Sequence, residues 1–250
     1  MPALRTRVFA RRVTSFVIPA FAAAIVMTPA VSLAQDTATP EPGRMGIIET
    51  MDGLAECAAS ELGSLPEGTE AATLLAIVPE ESAARYRVQE ELAQVGETEA
   101  VGETRAIIGT LAFDEGGLPV ACSRFDVDMR TLQSDQARRD NYLYTNTLEA
   151  EKYPLATFVL RAVEGMDAPL AEGQETTLTL IGDLTLRDTT KLVAWEATVT
   201  MADGALTGGA ATEFEMPDFA IEPPSVPVVL SLDETVRLEI DLTARAASES

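Results

Sequence analysis

The sequence predicts an all-β protein, an antiparallel β-barrel, from three observations. Apolar and polar residues alternate in about eight or nine segments within residues 73–247, which is typical of strands with one buried and one wet face. Turn-forming pairs such as Asp203-Gly204 separate these segments. Gly109 and Gly182 fall in the middle of predicted strands, where glycine permits the bends and bulges of a closed barrel. The absence of a strand–helix rhythm argues against a parallel sheet.

Residues 1–34 are predicted to be a signal peptide. Four arginines precede Val13, the segment from Val13 to Ala34 carries no charge, and small residues stand at Ser32 and Ala34 before the predicted cleavage point. A retained membrane anchor is the alternative, because the uncharged segment is long enough to span a bilayer. We expect cleavage, export to the periplasm, cell surface or medium, and no stable membrane insertion afterwards.

Residues 35–72 are predicted to form a linker followed by one short helix. The Pro- and Thr-containing composition after Asp36 is typical of an extended linker. Helical spacing of apolar residues then predicts a helix that ends at Gly63 in a left-handed conformation. Its apolar stripe consists of Ile47, Ile48, Met51, Leu54, Ala55, Ala58 and Leu62.

The two cysteines allow two interpretations. In an exported protein, Cys57 and Cys122 can form a disulfide that ties the N-terminal segment to the barrel. Two separate thiols are an equally good interpretation, because a chain of this length does not depend on disulfides for its core.

Composition excludes several chemistries. The 250 residues include no histidine, which excludes a Ser-His-Asp triad, a Cys-His pair and histidine-ligated metals. Two cysteines alone cannot complete a thiolate zinc site. The balance of 18 basic and 40 acidic residues, a net charge of −22, repels phosphate backbones, so nucleic acid is not an expected partner. We expect no metal and no cofactor.

The barrel strands are predicted from their alternation, in chain order. Each segment places apolar side chains on one face and mostly polar ones on the other. The clearest segments are 107–113, 125–129, 156–162, 178–186, 193–199 and 236–242.

One segment, residues 134–153, interrupts the strand pattern and is predicted to contain the short helix of the barrel domain. Ser134 is the expected N-cap, Asp135 suits the first turn, and Pro154 prevents continuation. We expect this helix to lie across the mouth or side of the barrel, between two strands.

Ordered motifs across residues 73–245 resemble the YceI-like family of exported bacterial proteins. The most specific is the Tyr153-Pro154 start of a strand that reaches Thr157-Phe158; others are Tyr86-Arg87-Val88, Ile107–Leu111, Phe125–Leu132, Arg139-Asp140, Gly182–Leu186 and Asp218-Phe219. The resemblance implies a lipocalin-like barrel that binds a polyisoprenoid lipid in its interior. Where the family often has histidine, this chain has Asn141 and Arg187-Asp188, so no role of those histidines is carried over.

Candidate ligand-binding residues are the large apolar and aromatic side chains of the strands and of the helix region. Ordinary core packing is the simpler interpretation for those on strands, whereas those near the helix are better placed to line an entrance. The candidates are Phe113, Phe125, Leu132, Tyr142, Leu143, Leu148, Tyr153, Phe158, Leu180, Leu184, Trp195, Phe214 and Phe219.

Charged candidates also have two interpretations each. Arg139 and Asp140 are expected to hold the helix by an ion pair, or Arg139 to meet a phosphate or quinone head group; Arg130 and Arg187 are weaker candidates of the same kind. Asp126 and Asp128 fall on one strand face, where paired carboxylates suit acid–base hydrolysis or calcium, but a solvated outer face is the simpler interpretation.

The leading hypothesis is a non-enzymatic carrier that sequesters a long-chain polyisoprenoid, quinone or related amphiphile in the barrel. The first alternative is a histidine-independent isomerase or hydrolase acting on a hydrophobic substrate in the same cavity. The second is a ligand-free surface interaction domain, signalled by an exposed apolar patch. The sequence leaves the oligomeric state open, with a homodimer as one candidate.

Overall fold

The computed structural model describes residues 45–246, so the predicted signal peptide lies outside the described residues. The helix α1 is Ala137–Tyr142. The described strands are β1 Gly46–Ile47, β2 Thr73–Ile77, β3 Ala83–Leu92, β4 Gly96–Thr104, β5 Ile107–Phe113, β6 Arg124–Asp128, β7 Gln133–Ser134, β8 Leu155–Glu164, β9 Glu175–Leu186, β10 Thr189–Ala202, β11 Ala205–Glu215, β12 Val229–Leu232 and β13 Thr235–Ala246.

Eight of these strands close an antiparallel barrel, as predicted. Hydrogen-bonded neighbours run β2, β5, β6, β8, β9, β10, β11 and β13, and β13 pairs with β2 to close the ring. Along β13, pairing with β2 gives way to pairing with β3. The sheet continues from β3 to β4 and from β4 to β7. The two ends of the barrel therefore differ, and the end built on β3 carries α1.

Turn and glycine positions follow the sequence prediction. Asp203 and Gly204 both have positive φ, 51° and 72°, and connect β10 to β11 in a two-residue hairpin. Gly182 of β9 lies opposite a register shift in β8, between Leu160 and Ala162. These features curve the sheet so that it can close.

The predicted helix over residues 47–62 is wrong. After β1, which pairs with β10, the chain runs without helix across the outer face of the barrel to residue 72; we call residues 45–72 the strap. Gly53, at φ 77°, would weaken a helix this short, and isolated short helices are marginal in water. The barrel instead satisfies strap backbone groups, for example through Ala55 N–H and the Arg161 carbonyl at 3.3 Å.

The helical spacing in the strap nevertheless identified residues that bury apolar surface. Ile48 is buried on the outer face of the barrel with Ile181 and Ala194, and Met51 and Leu54 pack against them. Gly63 has the predicted left-handed conformation, φ 64°, but it ends no helix. A Cβ there would lie 3.2 Å from the Gly109 nitrogen, so the strap passes close to β5.

The short helix near the barrel end is present but differs in detail. Ser134 is not its N-cap, because it belongs to β7 and its hydroxyl donates to Asp140 Oδ1 at 2.6 Å. Gln136 occupies the N-cap position, and α1 continues as a π-helical turn over Leu143–Thr147. None of the helices within residues 45–246 is long and apolar enough to cross a lipid bilayer.

Candidate ligand-binding site

An apolar cavity of about 140 Å³, which we call the helix-side cavity, lies inside the barrel at the end that carries α1. Inward residues of β3, β6, β8, β9, β10, β11 and β13 form its wall, and residues that follow α1 complete it. The wall includes Tyr86, Val127, Met129, Leu132, Leu143, Thr147, Leu148, Ala156, Leu184, Phe214 and Val236, with Phe125, Phe158, Trp195 and Ile240 at its inner end.

A second apolar cavity of about 90 Å³, the far cavity, occupies the other half of the barrel. Phe125, Phe158, Trp195 and Ile240 line this cavity as well, so they separate it from the helix-side cavity. The remainder of its wall includes Ile107, Leu111, Phe113, Leu170, Leu178, Leu180 and Leu206.

A crevice beside α1 connects the helix-side cavity with the surface residues of that end. Exposed Arg130 and Asp135 form part of the crevice wall. Five residues line both the crevice and the helix-side cavity, and we call them the doorway: Tyr86, Met129, Leu132, Leu143 and Leu148. A ligand tail that enters beside α1 would pass between these side chains.

Three residues of the helix-side cavity wall each have a polar side-chain atom that is buried without a hydrogen-bond partner, although the surface of the cavity itself is almost wholly apolar. These atoms are Tyr86 Oη, Thr147 Oγ1 and Trp195 Nε1. The Thr147 and Trp195 residues are only 9% and 3% exposed. Unpaired buried polar groups cost free energy and are uncommon in folded proteins. A ligand oxygen within reach of such a group would recover the missing hydrogen bond.

Burial has a clear electrostatic effect on Tyr86. Desolvation raises the pKa of its phenol to about 12, with Arg139 nearby acting in the opposite direction. Tyr86 therefore stays protonated over the physiological range and keeps a hydroxyl that can donate. The ring lies against Gly102 of β4, where a Cβ would come within 2.2 Å of Tyr86 Cε1, so glycine is needed at that position.

Three arginines of this end are ion-paired with neighbouring carboxylates, whereas Arg138 of α1 has no ion pair within residues 45–246. Arg139 pairs with Glu90 and with Asp135, each at 2.5 Å, and the Glu90 side chain is only 5% exposed. Arg130 pairs with Asp128 at 2.8 Å, and Arg187 pairs with Glu149.

The predicted ion pair between Arg139 and Asp140 is not formed. Arg139 instead joins α1 to the rim of β3 through Glu90. Asp140 accepts hydrogen bonds from the Ser134 backbone and hydroxyl, at 2.9 and 2.6 Å. Both residues hold the helix in place, through separate partners.

The structure brings together most of the sequence candidates. Phe125, Phe158 and Trp195 lie between the two cavities; Leu184 and Phe214 line the helix-side cavity; Phe113 and Leu180 line the far cavity; Leu132, Leu143 and Leu148 form part of the doorway.

Three sequence candidates lie outside the walls of both cavities. Tyr142 ends α1. The Tyr153 hydroxyl donates to Asp188 at 3.0 Å, which lowers the pKa of that carboxyl. Phe219 is completely buried, with its ring 4.6 Å from that of Phe214.

Sequence reasoning missed Tyr86, Met129 and Thr147 as wall residues. Tyr86 had a detectable signal, because it alternates with Ala84 and Val88 on the inward face of β3. Thr147 had none, because its position depends on the π-helical turn that follows α1.

The expectation that Asp126 faces solvent is wrong. Its side chain is fully buried beneath the strap, where it accepts hydrogen bonds from Arg124 at 2.8 and 2.9 Å, from Gly63 N–H at 2.7 Å and from Thr157 at 2.6 Å. Asp126 is thus a fully paired structural carboxylate on the outside of the barrel. Within residues 45–246, no group of three or more Cys, Asp and Glu side chains is placed to hold a metal ion.

The strap is also covalently attached to the barrel. Cys57 and Cys122 form a disulfide, with their Cα atoms 5.4 Å apart. Of the two interpretations left open by the sequence, the structure has the bonded one.

Comparisons with known proteins agree with this architecture. A UPF0312 protein of Pseudomonas putida (strain W619) is 32% identical over 129 residues, a match that covers 48% of this chain and 61% of that protein's length. A polyisoprenoid-binding domain from Saccharophagus degradans has a TM-score of 0.54 at 11% identity, over 69% of this chain and 98% of that one.

Burkholderia cenocepacia BcnA has a TM-score of 0.53 at 15% identity, over 67% of this chain and 98% of that one. At these identities the two structures establish a shared fold. Residues 75–244 match the sequence model of the YceI-like domain, which is most of the chain, and the protein therefore belongs to the YceI-like family.

Proposed function

We propose that this protein is an exported, non-enzymatic lipid-binding protein that holds the tail of a polyisoprenoid or a similar long-chain amphiphile inside its barrel. The observation that carries the proposal is the helix-side cavity, whose apolar wall continues through the doorway to a surface crevice. Each methylene-sized group transferred into such an interior contributes about 0.8 kcal/mol, without any directional contact.

Cavity size sets a condition on this function. An engineered cavity of about 150 Å³ is enough for benzene, and the helix-side cavity is of similar size. A long tail therefore needs more space than this cavity offers, so part of it stays outside the cavity unless side chains at the doorway or at the inner end move.

The unpartnered polar atoms suit an oxygen-bearing head group or chain end. Tyr86 and Thr147 belong to the part of the wall next to the α1 segment, and a ligand oxygen could accept their hydrogen bonds once the side chains that cover these hydroxyls move. A phosphate would need free cations. Arg130, Arg139 and Arg187 have carboxylate partners, whereas the exposed Arg138 of α1 has no ion pair within residues 45–246. The proposal therefore covers a quinone, an isoprenoid alcohol and an isoprenoid phosphate.

The proposal is tested by extracting the purified protein with organic solvent after detergent-free preparation from the bacterial periplasm, followed by mass spectrometry. We expect a long-chain isoprenoid lipid in near-stoichiometric amount. Ala156→Phe, which fills the helix-side cavity, should lose the lipid, whereas Ala171→Phe at an exposed loop position should keep it. Extracts without lipid, or equal lipid in both variants, would contradict the proposal.

Export is tested on the same sample. Intact-mass analysis of the periplasmic protein should give a chain that begins at Gln35, as predicted from the small residues before the cleavage point. A mass that retains residues 1–34 would support the membrane-anchor alternative instead.

A further inference from the structure

We propose that Phe125, Phe158 and Trp195 form an aromatic partition that limits how long a ligand tail the barrel accepts. This inference rests on the proposed function and adds a determinant of specificity. The three side chains line the helix-side cavity on one side and the far cavity on the other. The Phe125 and Phe158 rings are 6.2 Å apart, and the Phe158 and Trp195 rings are 5.9 Å apart in an edge-on arrangement.

Two mid-strand glycines hold the phenylalanine rings of the partition. A Cβ at Gly182 would lie 2.5 Å from Phe158 Cζ and 2.3 Å from the Val159 carbonyl oxygen. A Cβ at Gly109 would lie 3.0 Å from Phe125 Cδ1, and Gly109 pairs directly with Phe125 across the sheet. An edge of each ring therefore lies in the space that a side chain at the glycine would occupy. Gly182, which lies opposite the register shift in β8, therefore serves both the curvature of the sheet and the placement of the partition.

The partition divides a space that would otherwise be continuous. The two cavities occupy opposite halves of one barrel, and both have apolar walls. With the rings in place, a tail entering through the doorway fills a space of benzene-like size and then meets Phe158 and Trp195. Additional tail remains outside or has to displace packed, buried rings. Affinity should consequently stop rising with tail length once the helix-side cavity is full.

The experiment compares isoprenoid alcohols of two, three and four isoprene units in binding titrations followed by Trp195 fluorescence. Each additional methylene-sized group that becomes buried should tighten binding by about fourfold. For the wild-type chain we expect the dissociation constants of the three alcohols to agree within about threefold. For Phe158→Leu, which opens the partition and keeps the fluorophore, the four-unit alcohol should bind at least about tenfold tighter than the two-unit alcohol.

Phe219→Leu is the matched control, because Phe219 is a buried phenylalanine of the same core that lines neither cavity. It should show the wild-type length dependence. If Phe158→Leu does not give the native circular-dichroism spectrum, Phe125→Leu is used in its place.

Two results would overturn the partition. One is a wild-type affinity that rises with tail length as steeply as that of Phe158→Leu, and the other is a Phe158→Leu affinity that does not change with tail length. In both cases the two-unit alcohol still binds, and the proposed function stands. No binding of any alcohol to the wild-type chain would overturn the proposed function as well.

Discussion

Buried polar groups on the outer face of the barrel, beneath the strap, have hydrogen-bond partners, whereas several in the interior have none. Under the strap, the Asp126 carboxylate is fully buried and accepts bonds from Arg124, Gly63 and Thr157. Inside the barrel, Tyr86 and Trp195 have buried polar atoms without partners. A buried polar group with a complete set of partners fixes the structure, whereas a group with an incomplete set can still gain a hydrogen bond from a ligand or from water. Changes under the strap should therefore affect stability, and changes inside should affect binding.

The largest effect is expected from Asp126→Ala. The substitution leaves the mostly buried Arg124 guanidinium and the Gly63 N–H without their acceptor, so the free energy of unfolding should fall by about 3–5 kcal/mol in urea titrations. Asp128→Ala is the control. It removes the carboxylate of the Arg130–Asp128 ion pair, which is more exposed than the Arg124–Asp126 pair, and the free energy of unfolding should fall by about 1 kcal/mol. A loss below about 1 kcal/mol for Asp126→Ala would contradict the structural role.

A slightly smaller loss is expected when the disulfide is removed. Cys57 and Cys122 are 65 residues apart, and the cross-link restricts the unfolded chain, so the double serine variant should be less stable by about 2–4 kcal/mol. Binding of a two-unit isoprenoid alcohol should change less than about twofold under conditions where the variant is folded. Lost affinity in the folded variant would mean that the strap shapes the cavity as well as stabilising the barrel.

Tyr86→Phe should have the opposite pattern of effects: it should weaken ligand binding and leave the stability of the protein nearly unchanged. Removing an unpartnered buried hydroxyl should leave stability equal or slightly higher, while an oxygen-bearing ligand loses a hydrogen bond of about 0.5–1.5 kcal/mol. The corresponding change in dissociation constant is about twofold to thirteenfold, measured with an isoprenoid alcohol. A hydrocarbon of equal length, which has no oxygen, should bind both chains alike. Equal weakening for both ligands would exclude a hydrogen bond from Tyr86.

A last effect is a pH dependence that is confined to alkaline solution and absent at neutral pH. The phenol of Tyr86 has a pKa of about 12 in the folded protein, above the ordinary value of about 10 that it regains on unfolding. The folded state therefore holds this proton longer, and its contribution to stability is present below pH 10 and is lost as pH rises from 10 towards 12. The difference in unfolding free energy between wild type and Tyr86→Phe should be constant below pH 9 and shift above pH 10. If the difference in unfolding free energy stayed constant up to pH 12, the Tyr86 phenol would be solvated in the folded protein, contrary to the structure.

Much of the barrel followed from local patterns. Alternation of period two placed Leu184 and Trp195 inside, and the mid-strand glycines indicated curvature. The strap could not be predicted in this way, because its helical spacing served a non-helical path whose backbone partners lie on distant strands. Asp126 was misassigned for the same reason, since the strap that covers it comes from a separate part of the chain.

The candidate site was only partly predictable. The alternation of inward and outward side chains along the strands identified the aromatic residues, and Phe125, Phe158 and Trp195 do lie between the cavities. The alternation could not distinguish a solid core from two separated cavities, because the shape of the interior depends on how rings from different strands pack against each other. Nor could it show that Gly182 and Gly109 allow those rings to lie where they do.

The central claim, that a lipid tail enters the barrel, is tested most directly through Trp195, the single tryptophan of the chain, whose side chain lies at the inner end of the helix-side cavity. A two-unit isoprenoid alcohol brominated at the end of its tail quenches only a fluorophore that it touches. We predict saturable quenching at one alcohol per protein, with none in Ala156→Phe. Binding detected by native mass spectrometry without quenching, or equal quenching in Ala156→Phe, would contradict the account.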